Sequence, residues 1–193
     1  MLDLEPATTV LSRVVAAIRD DQLSGPTPCP EMTVGDLVDH VGGLALGFTM
    51  AAAKTPLEGG PRASAANLGP DWRTGVPARL AEMAQAWRAE AAWTGMTRAG
   101  GVDLPGEVAG IVALDEVIVH AWDLAVATGQ TVSFDPELVK PAYAWVETMV
   151  AQNPAGDPRL FAAAVPVPSD APLLDRLVGL TGRDPAWRPA QAG

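Results

Sequence analysis

The chain has 193 residues, of which 48% are hydrophobic and only 19% charged, the composition of a single globular domain with a substantial core rather than of a disordered segment. Its formal net charge of −10, with 13 basic residues against 23 acidic ones, disfavours nucleic acid or an anionic membrane surface as a partner, because phosphate recognition needs clustered Lys and Arg. The single cysteine, Cys29, excludes an internal disulfide, and Asp3 and Glu5 stand where an export signal would carry its basic segment, so a cytoplasmic setting is expected.

Ala7, Val10, Leu11, Val14, Val15 and Ile18 recur at helical spacing and predict an amphipathic helix from about Leu4 to Ile18. The prolines at 26, 28 and 30 end it. Thr33 then suits an N-cap, with Asp36 in the first turn and Leu37, His40, Val41 and Leu44 on one face of a second helix reaching about Ala53. The near-apolar run Val41 to Ala53 is too short and too rich in Gly and Ala for a transmembrane helix. Lys54 to Thr74 has no sustained period and reads as a long surface crossover, a candidate lid. A third helix is predicted over Val76 to Thr94, with Pro77 in its first turn and Leu80, Met83, Ala84, Trp87 and Ala91 inward. Val102 to Leu104 suggests a short extended piece, too few residues for a sheet.

The fourth helix, Val108 to Ala127, is the most apolar stretch of the chain and stops at Gly129. A fifth follows Pro136 and ends before Pro154, with Leu138, Val139, Ala142, Trp145, Val146 and Met149 inward. Phe161 to Val167 is a candidate extended segment, and Pro172 to Leu180 a short helix stopped by Gly182. Trp87, Trp93, Trp122 and Trp145 sit at core spacing, whereas Trp72 and Trp187 fall in loops. The expected fold is all-α: a single domain containing a four-helix bundle over about residues 1–153, interrupted by the long crossover, and a short C-terminal extension over 154–193.

Chemistry concentrates in the fourth helix. Residues four apart on a helix differ by roughly 40° around the axis and about 6 Å along it, so Glu116 and His120 point the same way. A carboxylate beside an imidazole in so apolar a helix needs a compensating partner. The only other histidine, His40, also falls on an inward face. His40, Glu116 and His120 together would form a three-ligand metal site with open positions, the pattern of catalytic rather than structural zinc. The competing reading has no metal: both histidines are core residues and Glu116 is their hydrogen-bond partner. Asp36, one turn before His40, and Asp123, three residues after His120, would orient an imidazole from behind or act as a base. Asp36 is equally suited to serve only the helix N-terminus, and Asp123 to pair with an arginine such as Arg183. Cys29 lies in a Pro-flanked loop with no histidine beside it in sequence, which argues against a nucleophilic thiol.

Two segments carry a family resemblance. Thr27-Pro28-Cys29-Pro30-Glu31-Met32-Thr33-Val34-Gly35-Asp36-Leu37-Val38-Asp39-His40-Val41 and Asp115-Glu116-Val117-Ile118-Val119-His120-Ala121-Trp122-Asp123-Leu124 resemble the DinB-like superfamily. The similarity is greater to its actinobacterial branch, which contains the metal-binding N-terminal domain of mycothiol-dependent maleylpyruvate isomerase. The resemblance implies a helical bundle holding a divalent cation at His40, Glu116 and His120, zinc foremost, with nickel, iron or manganese also admissible. It further implies activation of mycothiol or another low-molecular-weight thiol for transfer to, or isomerisation of, a small-molecule substrate. A non-catalytic, metal-stabilised ligand-binding or stress-related module is the alternative, and a homodimer stays among the admissible assemblies. Met32 stands where the family commonly has Trp, and 193 residues leave no room for a full copy of the isomerase's separate C-terminal domain.

Overall fold

In the computed structural model, which describes residues 1–55, 57, 59, 61–156 and 161–189, the first apolar stripe becomes α1, Glu5–Ala16, with Ala7, Leu11, Val14 and Val15 buried. Thr33 caps α2, Val34–Ala52. Its hydroxyl accepts from the Asp36 N–H while the Asp36 carboxylate accepts from the Thr33 N–H, so two donors that a helix start leaves orphaned are satisfied reciprocally. Of the crossover 54–74, residues 56, 58 and 60 lie outside the described set. The remainder contains a 3-10 turn, Ala65–Asn67, that rests on α2. There the Ala65 N–H donates to Asp36 Oδ1 at 2.7 Å and the Ser64 N–H to Asp39 Oδ2 at 3.0 Å.

The third helix departs from expectation at both ends. It runs as α3, Trp72–Ala86, so Pro77 lies inside it rather than in its first turn, at the cost of one backbone hydrogen bond. Trp72 is helical and buried rather than in a loop, because its indole joins the core. After a break the chain resumes as a short α4, Glu90–Trp93. Hydrogen bonds account for the interruption: Trp93 Nε1 donates to the Trp87 carbonyl at 2.7 Å, and Trp87 Nε1 donates to the Phe48 carbonyl at 3.1 Å. The two indoles meet edge to face with centroids 5.1 Å apart.

A true hairpin replaces the expected extended piece. β1, Met96–Ala99, pairs antiparallel with β2, Val102–Pro105. Gly100 and Gly101 both have positive φ, 57° and 81°, as a two-residue turn that matches strand twist requires. The Thr97 hydroxyl ties the hairpin to the end of α2 by donating to the Ala51 carbonyl at 2.7 Å. The Gly106 N–H, donating to the Gly95 carbonyl at 2.9 Å, ties it to the helix that follows.

That helix is α5, Gly106–Ala127, and α6, Pro136–Gln152, and α7, Leu173–Leu180, complete the order. Residues 157–160 and 190–193 lie outside the described set. The expected extended segment 161–167 forms no named strand among the described residues; it lies against α7, with the Val165 N–H donating to the Gly179 carbonyl at 2.9 Å. The fold is all-α apart from the hairpin. Four helices make the corners of the bundle, each of α1 and α2 touching both α3 and α5, while α6 packs on α5 and α7 on α6. No helix among the described residues is long and apolar enough to cross a membrane.

Candidate metal centre

Two neighbouring corners of the bundle supply the three sequence-designated donors. His40 projects from the second turn of α2, and Glu116 and His120 from successive turns of α5. One ligand atom from each lies within 4.8 Å of the other two. His120 Nε2 is 2.9 Å from Glu116 Oε2, and His40 Nε2 is 3.9 Å from the same oxygen, beyond hydrogen-bond reach. The imidazole rings stand nearly perpendicular, at 86°, with centroids 5.0 Å apart. Side-chain exposure falls from 34% at His40 and 31% at Glu116 to 7% at His120. The cluster therefore opens to solvent on its His40 and Glu116 side.

Behind His120 stands Asp123, fully buried, whose Oδ2 is 2.9 Å from His120 Nδ1. Arg183 grips the same carboxylate from the other side, Nε donating to Oδ1 and Nη2 to Oδ2, both at 2.9 Å. The two uses foreseen for Asp123, supporting the imidazole and pairing with Arg183, thus occur together. Loss of one partner from a buried ion pair costs about 3–5 kcal/mol. Asp36 is elsewhere. Its Oδ2 accepts from the Thr33 N–H and hydroxyl and its Oδ1 from the Ala65 N–H, so one oxygen serves the start of α2 and the other holds the 3-10 turn.

The electrostatics follow from these contacts. Burial by itself would raise the Glu116 carboxyl, but the hydrogen bond with His120 and the nearby His40 ring outweigh it and hold it below the usual carboxylate range. Burial would depress His120, yet its bonds to Asp123 and Glu116 raise it to about 9. Carboxylates at both ring nitrogens thus favour the protonated ring in the metal-free protein, and ligation through Nε2 would release that nitrogen's proton and leave the Nδ1–H imidazole. Asp123 is held below the ordinary range against its burial, first by Arg183 and then by His120. Next to Glu116, Asp115 is 2% exposed, and burial pushes its carboxyl well above the usual range.

Cys29 is closer to the site than its sequence neighbours suggested. One ligand atom each of Cys29, His120 and Asp123 lies within 4.8 Å of the others. The Thr27 hydroxyl brings the loop back by donating to the carbonyls of Cys29, at 3.1 Å, and Met32, at 2.9 Å. Burial pushes the thiol up to about 11, which leaves little thiolate at neutral pH. The sequence offers Arg183 only as one example of an arginine for Asp123 to pair with, because their 60-residue separation leaves no local pattern that announces the contact.

Comparison with known proteins bears on the fold and the family. A family model described as the mycothiol maleylpyruvate isomerase N-terminal domain matches residues 4–125, a stretch that contains His40, Glu116 and His120. Two Mycobacterium tuberculosis proteins described as uncharacterized, from strains CDC 1551 and H37Rv, are each 37% identical over 182 residues, 92% of this chain and 93% of theirs. The crystal structure of the mycothiol-dependent maleylpyruvate isomerase superposes with a TM-score of 0.63 at 22% identity, over 80% of this chain and 70% of that one. A histidine-to-alanine mutant of that enzyme gives the same TM-score at 21% identity. At such identity the structural likeness speaks for the fold, and the family match speaks for descent. The chain belongs to the mycothiol maleylpyruvate isomerase N-terminal domain family.

Proposed function

We propose that this protein is a divalent-metal-dependent thiol transferase or isomerase that takes mycothiol or a related low-molecular-weight thiol as cosubstrate. The observation that carries this reading is the meeting of His40, Glu116 and His120 from two helices, with ligand atoms within 4.8 Å of one another and one side open to solvent. The donor set fits a cation. Two imidazoles and one carboxylate suit zinc first, and nickel, iron or manganese on the same chemistry, and three protein ligands leave positions for water or substrate. A cation held there would act as a Lewis acid and favour the thiolate form of a bound thiol, which is the nucleophile. The chain's own part is orientation: Asp123 holds the His120 ring by Nδ1, which turns Nε2 toward Glu116.

Metal analysis of untagged protein tests the ligands. One tightly bound divalent ion per chain is expected, with loss of that ion in His40→Ala and His120→Ala. Full retention in both variants overturns the assignment. Catalysis is tested by adding mycothiol or bacillithiol with monobromobimane as electrophile. Metal-dependent conjugation supports the transferase reading, whereas bound metal without conjugation of either thiol identifies a non-catalytic, metal-stabilised module.

A further inference from the structure

Arg183 follows α7, lies outside the residues 4–125 that match the family model, and is only 9% exposed. Each nitrogen of its guanidinium donates. Nε and Nη2 fork onto the two oxygens of Asp123, and Nη1 donates to the Thr181 carbonyl at 3.2 Å. The Arg183 N–H donates to the Val178 carbonyl at 3.0 Å, and the buried Thr181 hydroxyl donates to the same carbonyl at 2.8 Å, so the guanidinium is held from the end of α7.

Asp123 by itself would hold the His120 ring loosely. Rotation of a carboxylate about its terminal bond is soft, so one hydrogen bond to it sets a distance without setting the plane of the imidazole. The planar fork of an arginine removes that freedom, because two parallel bonds fix both oxygens at once. With Oδ2 already accepting from Nη2, the bond to His120 Nδ1 is completed by an imidazole that carries its proton on Nδ1 and presents Nε2 to Glu116 and His40.

We propose that Arg183 is a positioning residue of the metal centre: from the C-terminal segment it locks the Asp123 carboxylate, and through it the ring plane and tautomer of His120. The inference rests on the metal reading above and extends it, for it makes a segment beyond the matched domain part of the site's construction.

The test compares Zn²⁺ affinity, measured by competition with a chromophoric chelator, with the melting temperature of the metal-free protein. Arg183→Met and Arg183→Lys should each weaken Zn²⁺ binding by about 10–100-fold, the lysine failing to restore affinity because it keeps the charge without the fork. Leu177→Ala, which removes a fully buried side chain from α7, should lower the melting temperature while leaving Zn²⁺ affinity unchanged. Arg183→Met placed in an Asp123→Asn background should add no further loss, since both changes break one chain of contacts. Undiminished affinity in the Arg183 variants, or equal weakening by Leu177→Ala, overturns the inference and leaves the metal site standing. Should Arg183→Met fail to fold, Arg183→Lys decides by the same comparison. Absence of Zn²⁺ binding by the unaltered protein overturns the metal reading and this inference with it.

Discussion

Gly110 shows how tightly the core around α5 is fitted. A methyl group there would stand 2.4 Å from Trp93 Cζ3, 2.6 Å from Trp93 Cη2 and 3.0 Å from Trp87 Cζ3. Neither indole can retreat without breaking its hydrogen bond to a carbonyl. Gly110→Ala should therefore cost about 1–3 kcal/mol through overpacking, read as a melting temperature lower by roughly 2–10 °C; an unchanged midpoint would show that the rings yield freely. Single residues differ in how far the sequence reveals them. Glu116 and His120 are legible because helical periodicity alone puts them on one face, and His40 because it interrupts an apolar stripe. The nearness of Cys29 to His120 is not legible, since it depends on a loop folded back by Thr27. Nor is the grip of Arg183 on Asp123, a contact between distant segments that no local spacing encodes.

Helix ends written in cap chemistry are read correctly from sequence, as Thr33 and Asp36 illustrate. The ionised Asp36 carboxylate accepts from the Thr33 hydroxyl first, then from the Ala65 and Thr33 amides, and these bonds hold its pKa below the ordinary value. A carboxyl depressed in the folded state stabilises above its unfolded pKa, near ~3.9, and that contribution is lost as pH falls through the lower folded-state value. Asp36→Ala should thus cost about 0.5–2 kcal/mol at pH 7, with the deficit shrinking in acid, as urea midpoints across pH would show. The same variant should keep its Zn²⁺ affinity; a large loss would mean that Asp36 also governs His40. Two elements escaped the sequence for physical reasons. Each hairpin strand has four residues, too few for a clear alternation, although the adjacent glycines 100 and 101 are themselves a two-residue turn signal. The break between α3 and α4 is made by an indole donating to a main-chain carbonyl, which leaves no mark on the hydrophobic period.

Across the whole molecule, periodicity and loop composition were enough for an all-α bundle, but not for which helices share a corner. That arrangement, with α5 between α1 and α2, arises from packing and is what brings His40 to the Glu116 turn. Because the donors come from two corners, a cation that binds only the folded chain should stabilise all of it. At a concentration a hundred times its Kd the gain is about 2.7 kcal/mol, a rise in melting temperature of roughly 5–10 °C for a domain of this size. Calorimetry of metal-free protein with added Zn²⁺ should show that rise, and His40→Ala and His120→Ala should not. The hairpin gives this arrangement a length standard. Tied to the end of α2 by Thr97 and to the start of α5 by Gly106, it sets where the helices carrying His40 and Glu116 stand along their axes. One residue added between Pro105 and Glu116 would slide Glu116 and His120 by about 1.5 Å and swing them by about 100°, parting both from His40, whereas the turn at residues 100 and 101 can lengthen without moving either helix. Neighbouring stretches of one chain thus carry opposite tolerances to insertion, and the count of residues from Pro105 to Glu116 shapes the candidate centre as much as the three residues that meet there.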